Sequence, residues 1–325
     1  MAKGLRRVWH FDGGVETFVR NECTKAVLEF VKQDQNVIAV TADNGNEIYD
    51  EIKMKYPKQY IDYGIAECAM IAGAAGMASA GKIPFLYAVT NFMSMRAYEF
   101  IRNLVCVRNY PVKFLGRSAG VVTGTYGMTH EGTEDLAILR TLPNLLTITP
   151  STPCMAKASA YFAYKHNGSV YIRLEGHSEP EHYDADFEFQ AGKGYVWRKG
   201  DDAVIICIGS IINEAMKAAE RLVADSIDVG VVDMPMVKPM DEELIARVAT
   251  TAKAIFTLEE QTIYGGLGSA VAECLAERRI SAKLVRLGLH DYAKGCGNRD
   301  QMRKLNGLVA DDIVRKIRQV MEQQL

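Results

Sequence analysis

A chain of 325 residues, 48% apolar and 24% charged with a net charge of −2, has the make-up of a globular protein with room for two domains. Acids and bases are mixed along it, which excludes the basic footprint of a nucleic-acid binder and the cationic patch of a membrane-surface protein. The seven cysteines are scattered, odd in number and never in a C-x-x-C pair, so they read as reduced thiols of a cytoplasmic protein rather than a disulfide framework or a zinc site.

The opening MAKGLRRVWHFDGG is basic but lacks the apolar stretch of a signal peptide. Strand-like runs are then expected at 36–42, 83–89, 112–116, 144–150 and 169–175, and helices near 17–34, 66–80, 93–107, 131–142 and 152–166. Short β-branched runs separated by longer helical patterns specify crossover units and a parallel sheet covered on both faces. The longest apolar run, Ala69 to Gly81, is too short and glycine-rich to span a bilayer. The acidic stretch GHSEPEHYDADFEFQAG (176–192) breaks the rhythm and reads as a linker. A second series follows, with strands at 203–209, 229–234, 254–260 and 283–288 and helices near 211–224, 241–250, 267–279 and 308–322. The fold class is α/β in two domains, each a mostly parallel sheet flanked by helices: residues 1–180, a linker at 181–192, and residues 193–325.

Glu67 heads the apolar helix ECAMIAGAAGMASAG, where no further charge appears until Lys82. A glutamate in the first turn of a helix is commonly just a charge that suits the N-terminal dipole. The small residues behind it let helix and sheet approach closely, which would leave Glu67 desolvated beside a strand end, where open α/β sheets bind ligands. Desolvation favours the protonated acid, able to hold a proton against a ligand nitrogen, and the dipole opposes this. His130 closes a long loop with glycines at 116, 120, 124, 127 and 132. A lone histidine is usually structural, but a glycine-rich strand-to-helix loop is where functional residues gather. Arg96 and Arg102 in FMSMRAYEFIRN read as surface charges of a core helix, and HSEPEH (177–182) as a solvated loop rather than a metal site. EEQTIYGGLGSA has a glycine-rich turn, but Val271 stands where G-x-G-x-x-G needs its third glycine, so tight packing explains it better than a nucleotide.

Taken in order, YGIAEC, RAYEFIRN, AGVVTGTYGMTHEGTEDLAILRTLPN and TLEEQTIYGGLGSAVAE resemble the C-terminal half of the thiamine-diphosphate-dependent transketolases, above all their split, two-chain form. The resemblance covers roughly residues 15–320. It implies a pyrimidine-binding domain followed by a transketolase C-terminal domain, and an enzyme that moves a two-carbon ketol unit from a ketose donor to an aldehyde acceptor. The family's diphosphate-binding half carries G-D-G and a downstream Asn. No G-D-G occurs here, so a separate subunit is expected to hold the diphosphate and its Mg²⁺ or Ca²⁺, with no metal site on this chain, in an α2β2 heterotetramer.

The resemblance also implies roles. Glu67 matches the glutamate that hydrogen-bonds N1′ of the aminopyrimidine and so controls the tautomer that activates the cofactor. Phe92, or Met93 one residue on, matches the aromatic that packs on that ring. Asp43 and Arg96 fall on the cofactor side, and His130 matches the histidine that bonds the ketol oxygens. Arg20 and Arg173 match positions that hold the substrate phosphate, a task suited to a bidentate guanidinium. Three positions depart from the pattern. Transketolases usually read G-E-D-G-[PA]-[TS]-H-Q where this chain has GTYGMTHE, so Tyr126 replaces an aspartate that contacts a sugar hydroxyl and Glu131 replaces the glutamine. Glu47 stands where a small hydroxyl residue is usual near the phosphate, and would repel a dianion. The cofactor half of the site is kept; the substrate half is rewritten toward a non-standard acceptor. Two other enzymes share the fold: the β subunit of 2-oxo acid dehydrogenases, which lacks the R-A-Y-E-x-I-R pattern and faces a lipoyl domain, and deoxyxylulose-phosphate synthase. A non-catalytic α/β assembly module is the alternative from another class, against which Glu67 and His130 argue.

Overall fold

The computed structural model describes residues 17–45 and 47–323; the basic opening segment lies outside them. Twelve strands build two sheets among the described residues: β1 Val37–Thr41, β2 Tyr60–Asp62, β3 Ile83–Val89, β4 Lys113–Arg117, β5 Leu145–Ile148, β6 Ser169–Leu174, β7 Tyr195–Arg198, β8 Ala203–Ile208, β9 Val229–Asp233, β10 Met236–Lys238, β11 Ala254–Thr262 and β12 Lys283–Leu289. The first sheet runs β10-β5-β6-β4-β3-β1-β2, all parallel except β10. The second runs β12-β11-β8-β9-β7, all parallel except β7. Two-residue strands Thr17–Phe18 and Ser178–Glu179 pair separately.

Helices cover both faces of the first sheet, as strands buried on both sides require. Helices Val19–Gln33 and Pro153–Lys165 pack on one face around Phe30, Phe85 and Tyr87. The second starts cleanly because Thr152 Oγ1 accepts from Met155 N at 3.2 Å and proline follows it. Helix Glu67–Ser79 lies on the other face, burying Met70, Ile71, Ala74, Ala75 and Ala78. Its alanines remove little area from water, so its hold rests on Met70 and Ile71, at about 1.5–3 kcal/mol each.

Several features depart from the sequence reading. β10 comes from beyond the expected linker yet joins the first sheet, and one core cluster runs from Ile38 and Leu86 through Ile206 to Val271, so the two halves do not keep separate cores. The stretch 176–192, expected as a linker, is packed against the body of the protein, and Glu179 within 177–182 is buried rather than solvated. Tyr183, Phe187 and Phe189 are buried in it, and Glu181 accepts from the backbone N–H groups of Cys154, His182 and Tyr183. The segment 93–107 is not one helix: π-helical turns at Phe92–Arg96 and Ile101–Cys106 flank one α-helical turn. Helix Arg299–Leu305 has no counterpart among the expected elements, although N-R-D-Q is a legible capping box in which Asn298 and Gln301 bond reciprocally.

Candidate active site

Strands β1, β3, β4 and β6 direct their carboxyl ends to one edge of the first sheet, the place where open α/β sheets accept ligands. The segments leaving that edge carry most of the expected site residues. Glu67 opens its helix soon after β2 and is 2% exposed. Arg96 Nη1 donates to Glu67 Oε2 at 2.8 Å, while Oε1 takes no hydrogen bond among the described residues. A buried carboxylate needs a partner, and here the half-exposed guanidinium and the helix N-terminus both supply positive charge.

The Arg96 guanidinium carbon also lies 4.6 Å from the centroid of the Phe92 ring, a cation–π contact. The Phe92 ring meets His130 edge-on at 5.1 Å, and His130 lies 5.1 Å from the Tyr126 ring. Glu67, Arg96, Phe92, His130 and Tyr126 thus form one continuous run of side chains. Met93, by contrast, is fully buried in the core, so Phe92 is the aromatic presented to this edge. His130 Nδ1 shares a hydrogen bond with Thr129 Oγ1 at 3.0 Å, and its carbonyl accepts from Thr123 Oγ1 at 2.6 Å. π-Helical turns recur at functional sites, and the one at Phe92–Arg96 carries both Phe92 and Arg96.

The second domain holds the His130 loop from behind. At Gly120, with φ of +66°, a Cβ would overlap the Glu260 carboxylate, and at Gly124 it would overlap Met302. Gly297 N donates to Gly124 O at 3.3 Å, and Cys296 Sγ to Thr125 O at 3.5 Å. These close approaches explain the glycines at both positions.

Asp43 and Glu47 lie exposed on the turn after β1, both in the left-handed region with φ of 58° and 65°. Non-glycine residues held there concentrate at functional sites. Asp43 N donates to Asp62 Oδ1 at 3.0 Å, which ties this turn to the end of β2. Arg20 begins helix Val19–Gln33, half-buried, and Arg117 ends β4 and donates to Asn44 Oδ1 at 2.7 Å. Nothing in the sequence singles out Arg117, a lone arginine at a strand end.

Arg173, expected to hold a substrate phosphate, is buried in an ion pair away from the open edge. It is 1% exposed, its Nε lies 3.0 Å from Asp135 Oδ2, and its Nη2 donates to the carbonyls of Gly132 at 2.9 Å and Glu260 at 3.2 Å. Paired on every side, this guanidinium braces the two domains. Of the departures, Tyr126 is 70% exposed beside His130, whereas Glu131 is buried. Burial, followed by repulsion from Glu134, pushes the Glu131 carboxyl above the usual range, and its Oε1 has no partner among the described residues. The glycine-rich turn after β11 is closed by the protein itself: Glu259 accepts from Leu267 N at 2.7 Å and Gly268 N at 2.8 Å, filling the helix N-terminus.

Residues 17–178 match the transketolase pyrimidine-binding domain and residues 192–313 the transketolase C-terminal domain. The chain is 33% identical to a transketolase C-terminal section of Methanocaldococcus jannaschii, over 96% of this chain and 98% of that one. It is 34% identical to a 6-deoxy-6-sulfo-D-fructose transketolase subunit of a Clostridium species, over 94% and 95%. A solved split-gene transketolase, described as an inactive β4 tetramer, superposes with a TM-score of 0.86 at 33% identity, covering 94% of this chain and 98% of that one. The chain belongs to the transketolase family, as the section of its split form that carries the pyrimidine-binding and C-terminal domains.

Proposed function

We propose that this chain is one subunit of a two-chain transketolase-type transferase, moving a two-carbon ketol unit from a ketose donor to an aldehyde acceptor. The observation that carries the reading is the buried Glu67 carboxylate, with one oxygen on Arg96 and the other without a hydrogen bond among the described residues, joined through the Arg96 guanidinium to the Phe92 ring and the His130 imidazole edge-on to it. That set suits a flat, nitrogen-bearing cationic cofactor. When bound, thiamine diphosphate supplies the carbon that stabilises the transferred carbanion. Glu67 would hold a proton against the pyrimidine nitrogen, Phe92 would pack on the ring, and Arg96 and Asp43 would line its approach. His130, carried on the braced loop, is poised to donate to or accept from the ketol oxygens.

The diphosphate and its Mg²⁺ or Ca²⁺ belong to a partner subunit with G-D-G and a downstream Asn, in an α2β2 assembly. Two facts support this: no G-D-G lies in this sequence, and the relatives that this chain spans almost end to end are named as sections or subunits. The solved relative described as inactive is a tetramer of β chains alone. Seven free cysteines fit a reducing, cytoplasmic setting, and no helix among the described residues is long and apolar enough to cross a membrane. The acceptor is non-standard, because Tyr126 and Glu47 replace the residues that select ordinary sugar phosphates.

The test is reconstitution. The purified chain alone shows no ketol transfer and weak cofactor binding, and adding the G-D-G subunit restores both. Full activity from the single chain overturns the proposal.

A further inference from the structure

The loop that carries Tyr126 and His130 is closed at its neck by Gly120 and Gly132, whose backbones exchange hydrogen bonds of 2.8 Å and 3.0 Å. The first domain reaches it through Asn91 Nδ2, which donates to Thr129 O. The second domain grips it at neck and tip. At the neck, the buried side chain of Glu260, on strand β11, lies so close to Gly120 that no Cβ fits between them. Arg303 Nε fixes that carboxylate by donating to Oε1 at 2.5 Å, while Oε2, the atom turned to Gly120, takes no hydrogen bond among the described residues. Thr262 N, at the end of the same strand, donates to Thr133 O at 2.9 Å. At the tip, the buried Met302 side chain fills the space beside Gly124. Met302 and Arg303 are consecutive on helix Arg299–Leu305, so one short helix sets both points of the grip. A buried acceptor without a partner is destabilising, and in native structures such atoms mark strain or function.

We propose that Glu260 and Met302 are positioning residues of the transfer reaction: through Gly120 and Gly124 they fix the loop so that His130 meets the ketol oxygens. This deepens the transferase reading and rests on it, and it gives the second domain a direct part in the chemistry. The grip acts by shape. Glu260 is a wedge whose charge is satisfied by Arg303, and Met302 carries no charge at all. A misplacement of about 1 Å at a reacting group costs on the order of 100-fold. The Glu67–Arg96 pair stands on elements of the first domain that the grip does not include, so cofactor activation and ketol transfer respond separately.

The test uses the reconstituted two-chain enzyme with hydroxypyruvate as ketol donor and D-glyceraldehyde as acceptor. Glu260→Ala and Met302→Ala each lower kcat/KM for transfer by about 10–100-fold, while exchange of the C2 proton of bound thiamine diphosphate stays within about twofold. Arg303 keeps Glu175 at 3.7 Å in the first variant and the second removes no charge, so a failure to fold cannot decide both. Glu260→Gln, which keeps the wedge and the acceptor for Arg303, recovers most of the loss. Equal falls in transfer and C2 exchange, full transfer in both alanine variants, or a glutamine variant as poor as the alanine one overturn the proposal. Amide hydrogen exchange of residues 121–131 reads the grip without turnover, and quickens by about tenfold or more in both alanine variants. Faster exchange in a complex that transfers no ketol unit supports the grip and sinks only the transferase reading. Active enzyme whose loop exchange quickens with no loss of transfer sinks only this inference.

Discussion

Arg96 Nη1 sits 2.8 Å from Glu67 Oε2, so a side chain that is 49% exposed holds a carboxylate that is 2% exposed. The pair joins two segments 29 residues apart, the start of an apolar helix and a π-helical turn after β3. It leaves the second carboxylate oxygen without a hydrogen bond among the described residues, and it places a guanidinium on the ring that the cofactor would share. Glu67 is thus held in a buried ion pair as well as standing at a helix end.

Replacing Glu67 by Gln keeps its shape but removes the acidic proton. In the reconstituted complex, exchange of the C2 proton of bound thiamine diphosphate is expected to slow by about 10²–10⁴-fold, the usual worth of a positioned acid or base. An unchanged exchange rate would return Glu67 to a structural role.

Tyr126 and Glu47 set the second expectation. Tyr126 is exposed beside His130, where the family pattern has an aspartate, and Glu47 is an exposed acid near the expected phosphate end. The unmodified enzyme turns over ribose 5-phosphate poorly. Converting Tyr126→Asp together with Glu47→Ser should raise relative kcat/KM toward it by about 10–100-fold, since one additional hydrogen bond to the sugar is worth roughly 1–3 kcal/mol. C2-proton exchange stays near wild type. Efficient use of ribose 5-phosphate before any substitution would show that both departures are neutral.

Arg173 is expected to behave as a brace and not as a substrate contact. Arg173→Met strands Asp135 in the core without its cation, and breaking a buried pair typically costs about 3–5 kcal/mol. Urea unfolding should show that loss. If the folded fraction of the variant instead keeps full stability and loses affinity for phosphorylated acceptors, the phosphate role stands after all.

Asp233 gives the pH expectation. It is fully buried, its Oδ1 has no partner among the described residues, and its Oδ2 accepts from Ser151 Oγ and, at 2.8 Å, from Tyr183 Oη. Burial outweighs these two donors and pushes its pKa up to about 7. A folded pKa raised above the unfolded one means that the folded state holds the extra proton. The contribution to stability is full below about pH 4 and is lost as the pH rises through about 7. Asp233→Asn should remove that slope, so that wild type loses roughly 2–4 kcal/mol relative to the variant between about pH 4 and 8. Parallel urea midpoints across this range would contradict it.

The sequence locates what periodicity and local chemistry specify. The strands expected at 36–42, 83–89 and 203–209 lie within a residue or two of those limits, because continuous β-branched runs have one reading in a parallel sheet. Glu67 is legible because an acid in a run of alanines contradicts its surroundings. The segment 92–106 reads as plain helix because π-helical turns leave the residue pattern almost helical while shifting its faces. The ion pair of Arg173 is not legible because a strand arginine looks the same in sequence whether it meets a substrate or a buried aspartate.

Strand β10 makes the linker a poor place to cut. It leaves the second half of the chain to pair antiparallel with β5, and Pro235 O accepts from Thr149 N at 2.7 Å beside it. A fragment ending at residue 192 would carry the entire sequence match to the pyrimidine-binding domain and yet expose β5 as a bare apolar edge, open to pairing with another copy. Inheritance and folding thus draw different borders through this molecule. The two halves match separate domain families, but neither can be made alone without losing a piece of the other's sheet or core. A single cooperative unfolding transition for the whole chain, and aggregation of the truncated one, follow from that short strand.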